Sequence, residues 1–533
     1  MTAQTEPAEK ALIRRVSTHP RKALTDMRFD YYDDLIFFNG SSWDRYFPAY
    51  ADEQTLYDVI VIGSGMGGGI LGNTTSNRGK KTLILEAGPI RHLVNVTDLP
   101  LPNVAETIQP YELADGTVLQ GGLCFNLGGR SIFWSAVIPQ MSDWELHHWP
   151  DEIATFLREP KSGYAEAEVL FRKRSEYPKF QRKLVKAFGN EFQDFEVTAL
   201  PRSLDQPDSK YNPLPGSPDA RSTGVFSTAA LLANSLNFPG LAGSEYLNVA
   251  VQHLADRLVL DGNKAVGVEV LDLRNHCRRT FRGKRIVLAC GTTESARLAL
   301  TSGLTSPGYG TDGKLVDNLI GRGLADHPDA QLQFDIPEHW GFGNREFTSN
   351  DQGNIFLRPH EPSVQYRFSC ELALNYKFWD VRFEDDQLYR QQVGGHAPSR
   401  STIKFLFRNG LCEENFVEAN PRYLVGLKPM TDPAALTGAK ELASRIFEYF
   451  RVDPARAAEL KVDPGSLTPH LAGSMRMGVD PASSVVDTHL KFHRYENLYC
   501  SDLSVFPDIP ASNPSLTLGA LALRLARDLA DGL

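Results

Sequence analysis

The stretch Tyr57-Asp58-Val59-Ile60-Val61-Ile62-Gly63-Ser64-Gly65-Met66-Gly67-Gly68-Gly69 decides the fold. Its first half is a short β-branched apolar run, of the kind buried on both faces of a parallel sheet. Its second half is glycine-rich and leads into a small-residue segment that reads as a helix. A further strand, KKTLILEAG, follows and ends at Glu86, 18 residues beyond Gly68. In Gly63-x-Gly65-x-x-Gly68, the glycines let the backbone turn tightly and approach a pyrophosphate. The helix N-terminus then meets that charge with free N–H groups and its dipole. Glu86 stands where an acid accepts hydrogen bonds from a ribose diol. The unit therefore predicts a dinucleotide site on an unphosphorylated adenosine ribose, and by itself leaves NAD and FAD open.

Two later strands look alike: Arg285 to Gly291 and Glu496 to Ser501, with helices expected at about 295–302 and 516–529. Pieces of one α/β domain thus lie at the start, middle and end of the chain. Between them, AQLQFDI, VQYRFSCEL, STIKFLF and RYLVGLK alternate like antiparallel strands, and a helix with a period near 3.6 is expected over 436–450. The expected fold class is α/β: a Rossmann-like nucleotide-binding domain interrupted by an α+β domain with an antiparallel sheet. The boundaries read as an N-terminal arm at 1–55, the nucleotide domain at 56–150, 225–330 and 465–533, and the substrate domain at 151–224 and 331–464.

The 533 residues carry 42% apolar and 23% charged side chains, a soluble globular composition. The net charge of −9 argues against nucleic acid or an anionic membrane as partner. No apolar run approaches the length of a membrane span. The six cysteines show no CxxC pair, so no metal site is expected. Scattered thiols and the lack of a leader-like N-terminus point to a cytoplasmic protein.

The motifs, taken in order, resemble the glucose–methanol–choline (GMC) flavoprotein oxidoreductases. After the strand–glycine–helix unit come Leu127-Gly128-Gly129-Arg130-Ser131-Ile132-Phe133-Trp134, Leu288-Ala289-Cys290-Gly291, Ala325-Asp326-His327-Pro328, His470 to Gly478, Ser501-Asp502 and Ser512-Asn513-Pro514-Ser515-Leu516-Thr517. HLAGSMRMG and SNPSLT look most like the pyranose oxidase and glycoside 3-oxidase branch. The resemblance implies FAD, with Gly63, Gly65, Gly68, Glu86, Gly128, Gly129, Ser131, Ala255, Asp502, Asn513 and Thr517 as its contacts. It implies oxidation of a secondary hydroxyl of a sugar or glycoside, with a sterol or other non-sugar alcohol as the alternative. Hydride goes to the flavin N5 and the proton to His470, while Asn513 hydrogen-bonds the same oxygen. An imidazole suits the base role because its pKa lies near the operating pH. The electron acceptor is oxygen or a quinone. Pyranose oxidases often link FAD covalently through a histidine before the tryptophan; here that position is Phe133, so non-covalent FAD is expected. His327 and Arg476 read as structural. A NAD-dependent dehydrogenase conflicts with the C-terminal motifs, and a non-catalytic flavin protein has no need of both His470 and Asn513.

Overall fold

The computed structural model describes residues 51–90, 95, 108–112, 118–175, 177, 179–203, 225–237, 243–273, 275–337, 340–342, 345–346, 353–363, 365–374, 399–419, 424–427, 432–467 and 470–532. The aromatic residues of the expected N-terminal arm lie outside them. The strand Leu56–Ile62 sits inside a seven-stranded sheet, parallel to Thr82–Leu85 on one side and Cys277–Leu288 on the other. Val59, Ile60 and Val61 are fully buried, as a run apolar on both faces requires. The strand Cys277–Leu288 has two uses. Its first half closes an antiparallel meander with Lys264–Asp272 and His253–Asp261, and its last residues pair in parallel with Leu498–Cys500. The C-terminal segment is thereby drawn back beside the first strand.

Glycine sets how closely the helix Met66–Asn77 lies on this sheet. A Cβ on Gly72 would stand 2.5 Å from Ile84 Cδ1, and one on Gly67 would stand 1.8 Å from the Ser501 carbonyl oxygen. The C-terminal helix Ser515–Asp531 packs along it and buries Leu516, Ala520 and Leu523.

The second sheet is antiparallel and six-stranded, in the order Val462–Leu467, Pro328–Ile336, Ser399–Phe407, Phe368–Leu374, Gly353–Pro359 and Phe195–Ala199. The helix Pro433–Tyr449, capped by Asp432, covers it with Ala439, Leu442, Ile446 and Phe447. Three expected strands fall in this sheet. The fourth, RYLVGLK, supplies Leu424–Gly426, which pairs only with Phe416–Glu418.

The described residues of 151–203 divide between the cores of the two sheets. Helices Asp151–Leu157 and Gly163–Leu170 bury Ile153, Leu157, Tyr164 and Ala167 in the core of the first sheet. Leu184, Phe188 and Phe195 join the core of the second. Helix Gly163–Leu170 packs on the C-terminal helix, where Tyr164 and Thr517 pair their hydroxyls at 3.0 Å. Among the described residues, no helix is long and apolar enough to cross a membrane.

Candidate active site

A cleft of about 470 Å³ runs between the two sheets. One part is walled by the first sheet. Gly63 leaves its strand at φ +103, and a Cβ there would lie 2.2 Å from the Ala289 carbonyl oxygen, so only glycine fits the turn. Gly65 is the helix N-cap, and no side chain caps the first turn. A Cβ on Gly65 would meet no atom within 4 Å and would project into the open cleft. This is an uncapped helix N-terminus with its approach left bare. Gly68 does not line the cleft; a Cβ there would collide with the Gly63 carbonyl oxygen at 2.1 Å, so it closes the turn from behind.

Glu86 lines the cleft one residue past its strand. Ser64 donates to Oε2 from its hydroxyl (2.5 Å) and its backbone N–H (3.1 Å), and Gly88 N–H donates to Oε1 (2.8 Å). Burial outweighs these donors and pushes its pKa up to about 7. Ser64 Oγ also accepts from Gly128 N–H (2.8 Å), and Thr228 Oγ1 donates to the Ser64 carbonyl (2.8 Å). Thr228 and Ser131 share a further hydroxyl contact at 2.8 Å. The first glycine turn, the Gly128–Ser131 loop and the helix Thr228–Asn237 are thus one hydrogen-bonded unit. Ser64 and Thr228 were not singled out from sequence, since neither hydroxyl belongs to a motif that marks it.

Gly129, Ser131, Ala255 and Asp502 line the cleft; Gly128 and Thr517 do not. Both Asp502 oxygens are taken, by Gly291 N–H (3.0 Å) and Ser295 Oγ (2.5 Å) on one side and Ser504 N–H (2.9 Å) on the other. The residue ties the C-terminal strand to helix Thr292–Thr301 while facing the cleft. Arg476 is paired with Glu413 at 2.7 Å, as a structural role requires.

The other part of the cleft is where His470 and Asn513 come together, with Glu371 and Lys404 from the second sheet. His327 packs edge-on against His470, and His327 Nε2 lies 2.5 Å from His470 Nδ1. The proton positions follow from the far end of this chain. His327 Nδ1 lies 2.8 Å from the Pro510 carbonyl oxygen, which only accepts, so Nδ1 carries the proton. Burial lowers the His327 pKa to about 3, so the ring is neutral and its Nε2 is an acceptor. His470 Nδ1–H must then donate to it. The nitrogen left for the cleft is His470 Nε2, with an unprotonated lone pair.

Asp326 fixes the backbone of both histidines, accepting from His327 N–H (2.7 Å) and His470 N–H (3.1 Å). Burial, then His327, Arg130 and Lys404, hold the His470 pKa well below the usual imidazole range. His470 is therefore neutral throughout the neutral pH range, rather than titrating near pH 6.5 as an ordinary imidazole would. Asp326, His327 and His470 are close enough to be considered as metal ligands. The His327–His470 pair is a hydrogen bond between rings, however, and its two facing nitrogens leave no room for an ion between them.

The Asn513 loop is held residue by residue. Ile509 pairs with Asn409, the Pro510 carbonyl accepts from His327, and the Ala511 carbonyl accepts from Ser369 Oγ (2.7 Å). Ser512 N–H donates to Glu145 (2.7 Å). The loop that presents Asn513 is thus the one that sets the tautomer of His470. Sequence reading gave His327 a purely structural role, and Glu371 carried no motif.

Family models of the N- and C-terminal GMC oxidoreductase domains match residues 238–329 and 435–522, in that order. The chain belongs to the GMC oxidoreductases. It is 24% identical to paromamine 6′-oxidase of Streptomyces fradiae, over 90% of this chain and 93% of that protein. It is also 24% identical to oxygen-dependent choline dehydrogenase of Escherichia coli, over 54% of this chain; that match spans only 56% of the relative's length. Among solved structures, pyridoxine 4-oxidase of Mesorbium loti superposes with a TM-score of 0.57 at 17% identity, covering 89% of this chain and 99% of that one. Formate oxidase of Aspergillus oryzae gives 0.61 at 15%, covering 90% and 99%. Both share the fold.

GMC oxidoreductases are FAD-dependent, and the cleft fits that cofactor. The uncapped helix at Gly65 suits a pyrophosphate, Glu86 retains acceptor capacity for a ribose, and Ala255 stands on the same wall. Phe133 lines the cleft where the resemblance would put a linking histidine.

Proposed function

We propose that this protein oxidises a secondary hydroxyl of a sugar or glycoside to a ketone, with FAD held non-covalently. The observation that carries the reading is the ordered chain from the Pro510 carbonyl through His327 to His470, which leaves a lone pair on Nε2 facing the cleft. Bound FAD supplies the two-electron acceptor for the hydride. His470 Nε2 takes the hydroxyl proton, and the Asn513 amide orients the same oxygen without competing for that proton. His470 is unprotonated at neutral pH, so its Nε2 lone pair is free when substrate binds. Sugar chemistry is supported by the full-length likeness to paromamine 6′-oxidase. Gly63, Gly65, Gly129, Ser131, Glu86, Ala255 and Asp502 wall the cofactor part of the cleft, with Gly68, Gly128 and Thr517 supporting it from behind.

The FAD-binding unit comprises 56–171, 225–330 and 465–533, and the substrate unit comprises 172–224 and 331–464. Six free thiols suit a reducing cytoplasm. The test is anaerobic mixing of the purified protein with sugars, glycosides, sterols and simple alcohols, followed by reoxidation with oxygen or a quinone. Bleaching of the flavin by a sugar or glycoside, with a keto-sugar as product, is the expected result. Bleaching by sterols or simple alcohols alone would contradict it.

A further inference from the structure

The substrate part of the cleft contains two acceptors that the protein does not satisfy. Glu371 Oε1 and Asn513 Oδ1 are buried, and neither finds a donor among the described residues. Both side chains line the cleft beside His470. Buried acceptors are nearly always paired, and one left without a donor is costly. The obvious internal partner of Glu371 is its cross-strand neighbour Lys404. That ammonium is instead paired with Asp329 at 3.3 Å. Asn513 stands close enough to the Glu371 carboxylate to lower its pKa, while its own Oδ1 finds no donor among the described residues.

We infer that this end of the cleft is built for an uncharged polyol, in which a hydroxyl next to the one being oxidised donates to Glu371. The count of groups carries the inference: His470 Nε2, Asn513 Oδ1 and Glu371 Oε1 each call for a donor, and a simple alcohol has one. A cationic ligand could donate as well. Lys404 and Arg130 both act on His470 with positive potential, however, and oppose a cation in the same space. Ionised Glu371 on the cleft wall opposes an anion. The inference rests on the sugar reading above and deepens it by naming Glu371 as the residue that reads the neighbouring hydroxyl.

The test compares methyl α-glucopyranoside with its 2-, 3- and 4-deoxy analogues on wild type, Glu371→Gln and Glu371→Leu. Binding is read by calorimetric titration of dithionite-reduced holoenzyme, in which no turnover occurs, and flavin content and melting temperature check the fold. In wild type, deleting one particular hydroxyl should weaken binding about ten- to hundredfold, as for a hydrogen bond to a charged group. In Glu371→Leu the parent glucoside should weaken by a similar factor, and the same deletion should then matter less than about twofold. Glu371→Gln, which keeps an oxygen acceptor, should recover part of the binding. Unchanged discrimination among the analogues in Glu371→Leu overturns the role of Glu371 while leaving the sugar reading intact. If the wild type binds no glucoside and is bleached only by simple alcohols, the sugar reading falls and this inference with it.

Discussion

Replacing His327 by alanine should change how His470 holds its proton without touching the cleft lining. In the native chain, His470 Nδ1–H has one acceptor, His327 Nε2 at 2.5 Å, and that acceptor exists because Pro510 holds the other His327 proton. His327→Ala removes the acceptor and leaves His470 free to carry its proton on Nε2, the wrong nitrogen for a base. The tautomer preference supplied by one neutral hydrogen bond is about 0.5–1.5 kcal/mol. At 1.36 kcal/mol per decade this is roughly a two- to thirteenfold slower flavin reduction at neutral pH. The pH profile should move as well. Only neutral His470 accepts a proton, so the rate rises with pH through its pKa and is flat above. In wild type burial holds that pKa low, so the rising limb lies well to the acid side of pH 6.5. Neutral His327 is the acceptor that an imidazolium at His470 would keep, so without it the limb should shift further toward acid. Anaerobic stopped-flow reduction from about pH 4 to 9 reads both quantities. His327→Gln, whose amide can donate to Pro510 and accept from His470, should restore part of each. A His327→Ala enzyme with the wild-type rate and the wild-type limb would refute the relay.

Acid precipitation should release FAD into the supernatant, because Phe133 replaces the linking histidine; flavin retained in the washed pellet would show a covalent bond by another residue. Glu86→Gln should weaken FAD binding about ten- to hundredfold, the roughly 1.5–3 kcal/mol of a charge-assisted hydrogen bond, with little change in the reduction rate of the loaded enzyme. Glu86 is protonated below about pH 7 in the folded apoprotein, and a ribose donor favours its ionised form. FAD affinity of the wild type should therefore rise with pH through about 7 and level off, and this dependence should be absent in Glu86→Gln. Equal titration curves for the two proteins would place the ribose elsewhere.

Much of the nucleotide sheet was legible because its signals are local. A β-branched run, glycines at turn spacing and an acid at the next strand end each report their own backbone. The antiparallel sheet showed in the alternation of AQLQFDI and STIKFLF. Its partition from the first sheet did not, since helices Asp151–Leu157 and Gly163–Leu170 carry ordinary apolar periodicity that names no partner. The same limit explains the site. His470 and Asn513 stood out through motifs, whereas His327 looked structural because its contact with His470 spans 143 residues. Glu371 reads as any strand acid until Lys404 is found committed to Asp329. A sequence shows which residues could do chemistry; which acceptor is left without a donor is decided only when the chain is folded.

The central claim is that His470 Nε2 is the base. Its most direct test is the rate of anaerobic flavin reduction in His470→Ala, with FAD content measured on the same sample and the best substrate from the panel. General-base catalysis contributes typically about 10²–10⁴-fold. The account predicts an enzyme that keeps its FAD, is slowed within that range, and has lost the acid limb of its pH profile. A His470→Ala enzyme that holds FAD and is reduced within a few-fold of the wild-type rate would contradict it.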